Sequence, residues 1–305
     1  MREGVIAPVV TAPFSVFHVK QSETDAPQTE TPSLMTHVIA ITNQKGGVGK
    51  TTTTVNLAAC LAAANRRTLL VDMDPQGNAT SGLDISKTGL KGSIYEVLIN
   101  AVEPHEVIVQ APCHPTLHVL PATMNLVGAE LELIDLPDRA NRLALALNAL
   151  ASDYDYILID SPPSLGLLTL NVLVYAQHIL VPVQAEYYAL EGLSALTQTI
   201  ERVRNAHNPN LSLLGLALTM FDSRTNLNQQ VMEEVQRVFG DKVFKSVIHR
   251  SVKLSEASSF GKPVIYYDLR SRGATNYMEL CQEVVNRCES PAPVAEPPAP
   301  ASEAP

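Results

Sequence analysis

The chain has 305 residues, enough for one large α/β domain or two small ones, and 46% of them are apolar, which suits a packed core. Its formal net charge of −9 argues against nucleic-acid binding over the whole surface. No run of about 18 uninterrupted apolar residues occurs, so no membrane span is expected, and the four scattered cysteines lack C-x-x-C or metal-ligand spacing, which fits a reducing cytoplasm.

In chain order, residues 1–35 are expected to be a disordered arm, because they mix prolines with Thr, Ser and Glu and show no sustained periodicity. They lack the basic-then-apolar pattern of a signal peptide, so export is not expected. Met35 stands just before the first strand and is a candidate native start; N-terminal sequencing that begins at Met1 would refute it. The folded domain is expected over 36–289. It opens with an apolar strand over 38–43, then Asn43-Gln44-Lys45-Gly46-Gly47-Val48-Gly49-Lys50-Thr51-Thr52, then an Ala/Leu-rich helix over 51–65. Strand, glycine-rich turn and helix start are the context of a phosphate-binding loop. Glycines let backbone N–H groups approach phosphate oxygens, and the helix N-terminus adds partial positive charge. Lys45, Gly46, Gly47, Val48, Gly49, Lys50, Thr51 and Thr52 are the candidate nucleotide-binding residues. Lys50 is expected to reach the β- and γ-phosphates and Thr51 to ligate Mg²⁺. The spacing departs from G-x-x-x-x-G-K-[ST]: the first glycine falls at position 44, which is Gln, and a second lysine, Lys45, follows.

Further strands are expected over 68–73, 117–121, 155–160, 178–183, 213–220, 243–248 and 264–267, most of them continuous apolar runs suited to burial on both faces. Helices are expected over 93–100, 126–135, 138–151, 165–176, 189–206, 226–240 and 274–289. Such alternation predicts an α/β fold: a single-domain, doubly wound, mostly parallel sheet with helices on both faces, its ligand at the carboxyl ends of the strands. Two strands end in aspartate. Asp160 follows Tyr156-Ile157-Leu158-Ile159 and suits a carboxylate that holds Mg²⁺ directly or through its waters. Asp74, opening Asp74-Pro75-Gln76-Gly77-Asn78, suits a residue that orients the attacking water, with Asp72 as a support for the loop lysine. Any one such Asp could be a turn former; two beside a phosphate loop favour catalysis, with Lys45, Lys50 and Asp74 as the catalytic set. Residues 222–272 hold nine Lys/Arg against six Asp/Glu, a local basic excess open to a polyanion or to chance. Cys281 and Cys288 share a face of the last helix and read as core. Residues 290–305 are a disordered Pro/Ala-rich tail that cannot form a helix.

The string Lys45-Gly46-Gly47-Val48-Gly49-Lys50-Thr51 resembles the deviant Walker A box. Together with Asp72-Met73-Asp74-Pro75-Gln76-Gly77-Asn78, Ile159-Asp160-Ser161-Pro162-Pro163, Val181-Pro182-Val183-Gln184, Phe221-Asp222-Ser223-Arg224-Thr225-Asn226-Leu227, Val252-Lys253-Leu254-Ser255-Glu256-Ala257 and Gly261-Lys262-Pro263-Val264, it makes the chain similar to the ParA/Soj-type DNA partition ATPases. The resemblance covers Val38 to the last helix. It implies a slow ATPase using ATP and Mg²⁺, active as an ATP-bound homodimer in which Lys45 reaches the partner subunit's nucleotide. It implies non-specific binding of double-stranded DNA through Arg224 and Lys253, with Arg250 as a third contact. Release from DNA would follow hydrolysis stimulated by a ParB/Spo0J-type centromere-binding protein, and the location would be cytoplasmic and nucleoid-associated. His249, Ser251, Ser258 and Phe260 depart from residues common in relatives, in the segment that approaches adenine. A membrane-binding relative of the MinD type needs a basic amphipathic C-terminal helix, and an iron–sulphur relative needs paired cysteines; neither is present. A nucleotide-gated scaffold that does not turn over remains open.

Overall fold

The computed structural model describes residues 36–187 and 189–289; the expected arm, the candidate Met35 start and the tail lie outside them. Seven strands are described: β1 (His37–Ile41), β2 (Thr68–Asp72), β3 (Val109–Gln110), β4 (Leu117–Leu120), β5 (Tyr156–Asp160), β6 (His178–Gln184) and β7 (Ser212–Thr219). They form one sheet in the order β3-β4-β2-β5-β1-β6-β7. All pairings are parallel except β3 with β4, where a short edge strand turns back.

The continuous apolar runs explain the two-sided burial. Alternate residues of one strand enter opposite cores, since successive side chains point to opposite faces. Val38, Ala40, Leu69, Val71, Ile157, Ile159 and Val181 face one core. Ile39, Ile41, Leu70, Leu158 and Leu180 face the other. The helices are α1 (Lys50–Ala63), α2 (Asn78–Ser81), α3 (Ile94–Leu98), α4 (Pro104–Val107), α5 (Leu126–Glu132), α6 (Arg142–Leu147), α7 (Leu167–Tyr175), α8 (Ala189–Ala206), α9 (Asn226–Phe239), α10 (Val252–Ser259), α11 (Val264–Tyr267) and α12 (Arg272–Glu289). α1 and α12 cover the second face, where Leu57, Leu61, Tyr277 and Leu280 are fully or almost fully buried. α7 and α8 cover the first, through Val172, Leu173, Leu193 and Leu196.

Two expected strands are corrected. Residues 243–248 run beside β7 without forming a continuous ladder: isolated bridges join Leu216 with Val243 and, just beyond, Phe221 with His249, and Phe244 N and Ile248 N donate to Leu216 O and Leu218 O at 2.9 and 2.8 Å. Side chains of α12 supply the rest of the bonding. Arg287 donates to the carbonyls of Leu214, Lys242 and Val243 at 2.8, 3.2 and 3.1 Å, and the amides of Lys245 and Ser246 donate to Glu283. The Arg287 guanidinium also sits 4.0 Å over the Phe244 ring. Residues 264–267 are helical, because Pro263 precedes them with a φ of −57° and Val264 N–H donates to Asn56 Oδ1 at 2.7 Å. The short elements β3, α2 and α4, and the eight-residue α10, carry too little periodicity to be anticipated.

Candidate nucleotide site

The phosphate loop leaves the carboxyl end of β1 and enters α1. Its base is tied to β6: Asn43 Nδ2 donates to Pro182 O at 2.8 Å, while Asn43 Oδ1 accepts from Lys45 N at 3.0 Å. Its far side is tied to β7 by Thr219 Oγ1, which donates to Val48 O at 2.8 Å. Gly47 and Gly49 have φ of +74° and +86°, the left-handed region that favours glycine. Gly46 and Gly47 are exposed, and a Cβ on either would meet nothing within 4 Å, so the loop is open toward an incoming anion. Val48 is buried and anchors the loop.

Lys50 lies beneath this loop. It is 7% exposed, and its Nζ donates to Lys45 O at 3.2 Å. Burial lowers its pKa, and the carboxylates of Asp160 and Asp74 work against that by favouring the ammonium. Thr51 Oγ1 donates to Asp160 Oδ2 at 2.8 Å, and Thr54 Oγ1 approaches Asp160 Oδ1 at 2.9 Å. Asp160 and Asp72 are direct neighbours in the β2–β5 register and both are wholly buried. Burial first, and mutual repulsion second, push the Asp160 carboxyl well above the ordinary range; burial also raises Asp72. Asp160 and Asp74 therefore face one buried ammonium, and Asp72 adds a third carboxylate beside Asp160. Such an excess of oxygen donors, with the Thr51 hydroxyl on the same carboxylate, fits a hard divalent cation of the Mg²⁺ type.

Asp72 does not support Lys50 as expected. It accepts from Thr80 N at 2.8 Å, Thr80 Oγ1 at 2.7 Å and Asp74 N at 3.2 Å. It therefore clamps the turn that carries Asp74. Thr80 Oγ1 in turn accepts from Ala122 N at 3.0 Å, tying that turn to the end of β4. Asp74 Oδ1 accepts from Gln76 N at 2.9 Å. Gly77 closes the turn at φ +60°, where a Cβ would lie 2.7 Å from Ala122 O. Thr54 and Thr80 escaped sequence reasoning; a hydroxyl eight residues after Asp72 was the available signal for Thr80.

Beside Gly49 and Thr52, on the α1 side of the loop, lies a cleft of about 470 Å³ lined in part by Met220, His249, Arg250, Ser251 and Leu254. Asn276 of α12 holds His249 there, with Oδ1 3.2 Å from both the backbone N and Nδ1. Lys45 points away from the loop interior: its ammonium is half-exposed and ion-paired with Glu186 beyond β6. Arg224 and Arg250 come together around Asp222, because Arg250 N donates to Phe221 O at 3.1 Å. The Arg224 side chain is 88% exposed and grips Asp222 through two bonds of 2.9 and 2.7 Å. Those bonds hold the Asp222 carboxyl far below its ordinary pKa. Lys253, in the first turn of α10, bonds Glu256 at 2.8 Å and lies 5.6 Å from the Tyr267 ring. No helix among the described residues is long and apolar enough to cross a membrane.

A family model described as an AAA domain matches residues 36–213. The chain is 55% identical over 254 residues to the chromosome partitioning protein ParA of Myxococcus xanthus, covering 82% of this chain and 88% of that protein. It is 55% identical over 250 residues to the sporulation initiation inhibitor protein Soj of Bacillus subtilis, covering 82% of this chain and 98% of that one. Among solved structures, a cobyrinic acid a,c-diamide synthase from Mycobacterium smegmatis with bound ADP and magnesium superposes with a TM-score of 0.74 at 38% identity, covering 84% of this chain and 96% of that one.

Proposed function

The chain belongs to the ParA/Soj partition ATPases of the MinD/ParA P-loop family, and from that premise we propose that it is an ATP-gated, DNA-binding dimer for chromosome or plasmid segregation. ATP with Mg²⁺ binds at the loop of residues 45–52, with Thr51 and Asp160 toward the cation and the nucleobase in the cleft beside Met220 and His249. When bound, Mg²⁺ neutralises phosphate charge and the surplus of the three carboxylates. The carrying observation is the finished loop, with Lys50 facing Asp160 and Asp74 while Lys45 stands outside on Glu186. An exposed ion pair of this kind contributes about 0–1 kcal/mol, so Lys45 is free to exchange Glu186 for a phosphate on the partner subunit. Hydrolysis is slow until a ParB-type centromere-binding protein stimulates it, and the location is cytoplasmic and nucleoid-associated. Light scattering with DNA co-sedimentation, run with ATP, with ADP and without nucleotide, tests the cycle. Dimer and DNA retention with ATP alone is expected; retention by a nucleotide-free monomer defeats the proposal.

Asp74 orients the attacking water, its Oδ1 fixed by Gln76 N–H. Asp74→Ala is expected to cut hydrolysis by about 10²-fold or more, as loss of a positioned catalytic group does, and to hold the ATP dimer on DNA. A variant with ordinary phosphate release removes Asp74 from the mechanism. A non-hydrolysing scaffold would instead show no phosphate release in the parent chain.

DNA binding runs through phosphate contacts by Arg224, Arg250 and Lys253, the first two adjacent on the structure. Each now satisfied by a carboxylate, Arg224 and Lys253 would exchange Asp222 and Glu256 for phosphates. Arg224→Glu is expected to weaken DNA retention at least about tenfold and flatten its salt dependence, with ATP-dependent dimerisation intact. Unchanged retention across a salt titration would count against this surface.

A further inference from the structure

At the amino ends of the strands, across the sheet from the phosphate loop, three metal-ligating side chains meet. His37 opens β1, His178 opens the neighbouring β6, and Cys288 lies in the last turn of α12. One ligand atom from each lies within 4.8 Å of the other two. We propose that His37, His178 and Cys288 form a binding site for Zn²⁺ that staples the end of α12 to the sheet.

The donor set suits a borderline-soft cation: two imidazoles and a thiolate, with a fourth position left for water. Zinc bonds of about 2.0–2.3 Å place tetrahedral ligands about 3.3–3.8 Å apart, so the three atoms need to close by only about 1 Å. The Ser212 hydroxyl lies 3.2 Å from Gln177 O and 2.9 Å from His178 Nδ1. In the tautomer with the proton on Nδ1, the ring donates to Ser212 Oγ and Nε2 keeps its lone pair for a metal. An imidazole whose second nitrogen donates to a fixed oxygen is how proteins orient metal-binding histidines.

The remaining groups nearby are already engaged. Tyr156 OH donates to Glu289 Oε1 at 2.9 Å, and Arg66 bonds Glu289 Oε2 at 2.8 Å. Cys288 would enter as its thiolate. Binding then forms a Zn–S bond, breaks S–H and releases that proton to water. Bridging β1, β6 and α12 would secure the helix end from which residues 290–305 depart.

The test is Co²⁺ titration of the full, tag-free, nucleotide-free chain, followed optically, with Zn²⁺ as competitor. One equivalent of Co²⁺ with a thiolate-to-metal charge-transfer band and tetrahedral visible bands is expected, displaced by Zn²⁺. Cys288→Ser should remove the charge-transfer band while Cys60→Ser and Cys113→Ser keep it. His178→Ala should weaken binding at least tenfold, and Ser212→Ala should weaken it less. Alkylation provides a second readout on the unaltered chain: Zn²⁺ should protect Cys288 and leave Cys113 reactive. Absence of a thiolate band, persistence of the band in Cys288→Ser, or equal alkylation of Cys288 with and without Zn²⁺ overturns the proposal. None of these readouts depends on ATP turnover, so failure here leaves the partition reading intact.

Discussion

Lys50→Ala is expected to abolish useful nucleotide binding, raising the Kd for ATP by about 100-fold or more in a fluorescence or calorimetric titration. Two effects add. The variant loses the proposed charge-assisted contact to the phosphates, worth about 1.5–3 kcal/mol. It also removes the ammonium that faces Asp160 and Asp74, leaving those carboxylates to repel the triphosphate as it enters. A 100-fold change corresponds to about 2.8 kcal/mol, within the first effect alone. The variant loses the 3.2 Å bond from Lys50 Nζ to Lys45 O, but Asn43, Val48 and Thr219 still tie the loop to β6 and β7, so it should keep most of its loop geometry. Retained ATP affinity in a folded Lys50→Ala chain would remove the assigned role.

Asp160→Asn should move stability and function in opposite directions. In the nucleotide-free chain Asp160 is buried beside Asp72, and its carboxyl is raised to about 8 from an ordinary value near 4. A carboxyl raised on folding stabilises the fold fully below its unfolded pKa, and that stabilisation is lost as pH rises through the folded value. Wild-type stability should therefore fall between about pH 4 and pH 8, with the Asp160 share of that fall absent from the variant. Replacing a buried carboxylate that Lys50 and two hydroxyls only partly compensate with a neutral isostere should stabilise the nucleotide-free chain by about 1–3 kcal/mol at pH 8, and each kcal/mol moves the Tm of a chain this size by about 2–4 °C. Asn can still accept from Thr51, whose hydroxyl lies 2.8 Å from the carboxylate. The same substitution removes the carboxylate proposed to hold the cation directly or through its waters, so stabilisation by ATP with Mg²⁺ should vanish. Melting curves across pH 5–8, with and without Mg²⁺ and ATP, check both halves. A Tm difference that is constant with pH, or that favours wild type at pH 8 without nucleotide, would refute the charge argument.

Five expected strands match described ones within a residue or two, and the expected strand over 213–220 matches β7 equally closely, because each is a continuous apolar run that only a doubly covered sheet can bury. The run over 243–248 has the same composition and forms no strand. Its backbone is shared between scattered bonds to β7 and the side chains of Arg287 and Glu283, some 40 residues downstream. A strand is decided by which partner supplies its hydrogen bonds, and composition carries no record of that partner. Residues 264–267 mislead for a similar reason, since the Asn56 side chain that starts their helical turn lies 208 positions away.

From the sequence by itself came the phosphate loop with Lys50 and Thr51, the aspartates at two strand ends, and the layered parallel sheet. These are determined locally: a left-handed backbone needs glycine within the loop, and burial on both faces needs uninterrupted apolar residues. Only the tertiary structure decided that Asp72 clamps Thr80, that Asp160 answers to Thr51 across 109 positions, that Arg224 and Arg250 share Asp222, and that His37, His178 and Cys288 converge. The physical reason is common to all four. Hydrogen bonds and electrostatic interactions act over a few ångströms, whereas the residues that make them are brought within that range by sheet order and helix docking, which depend on the whole core.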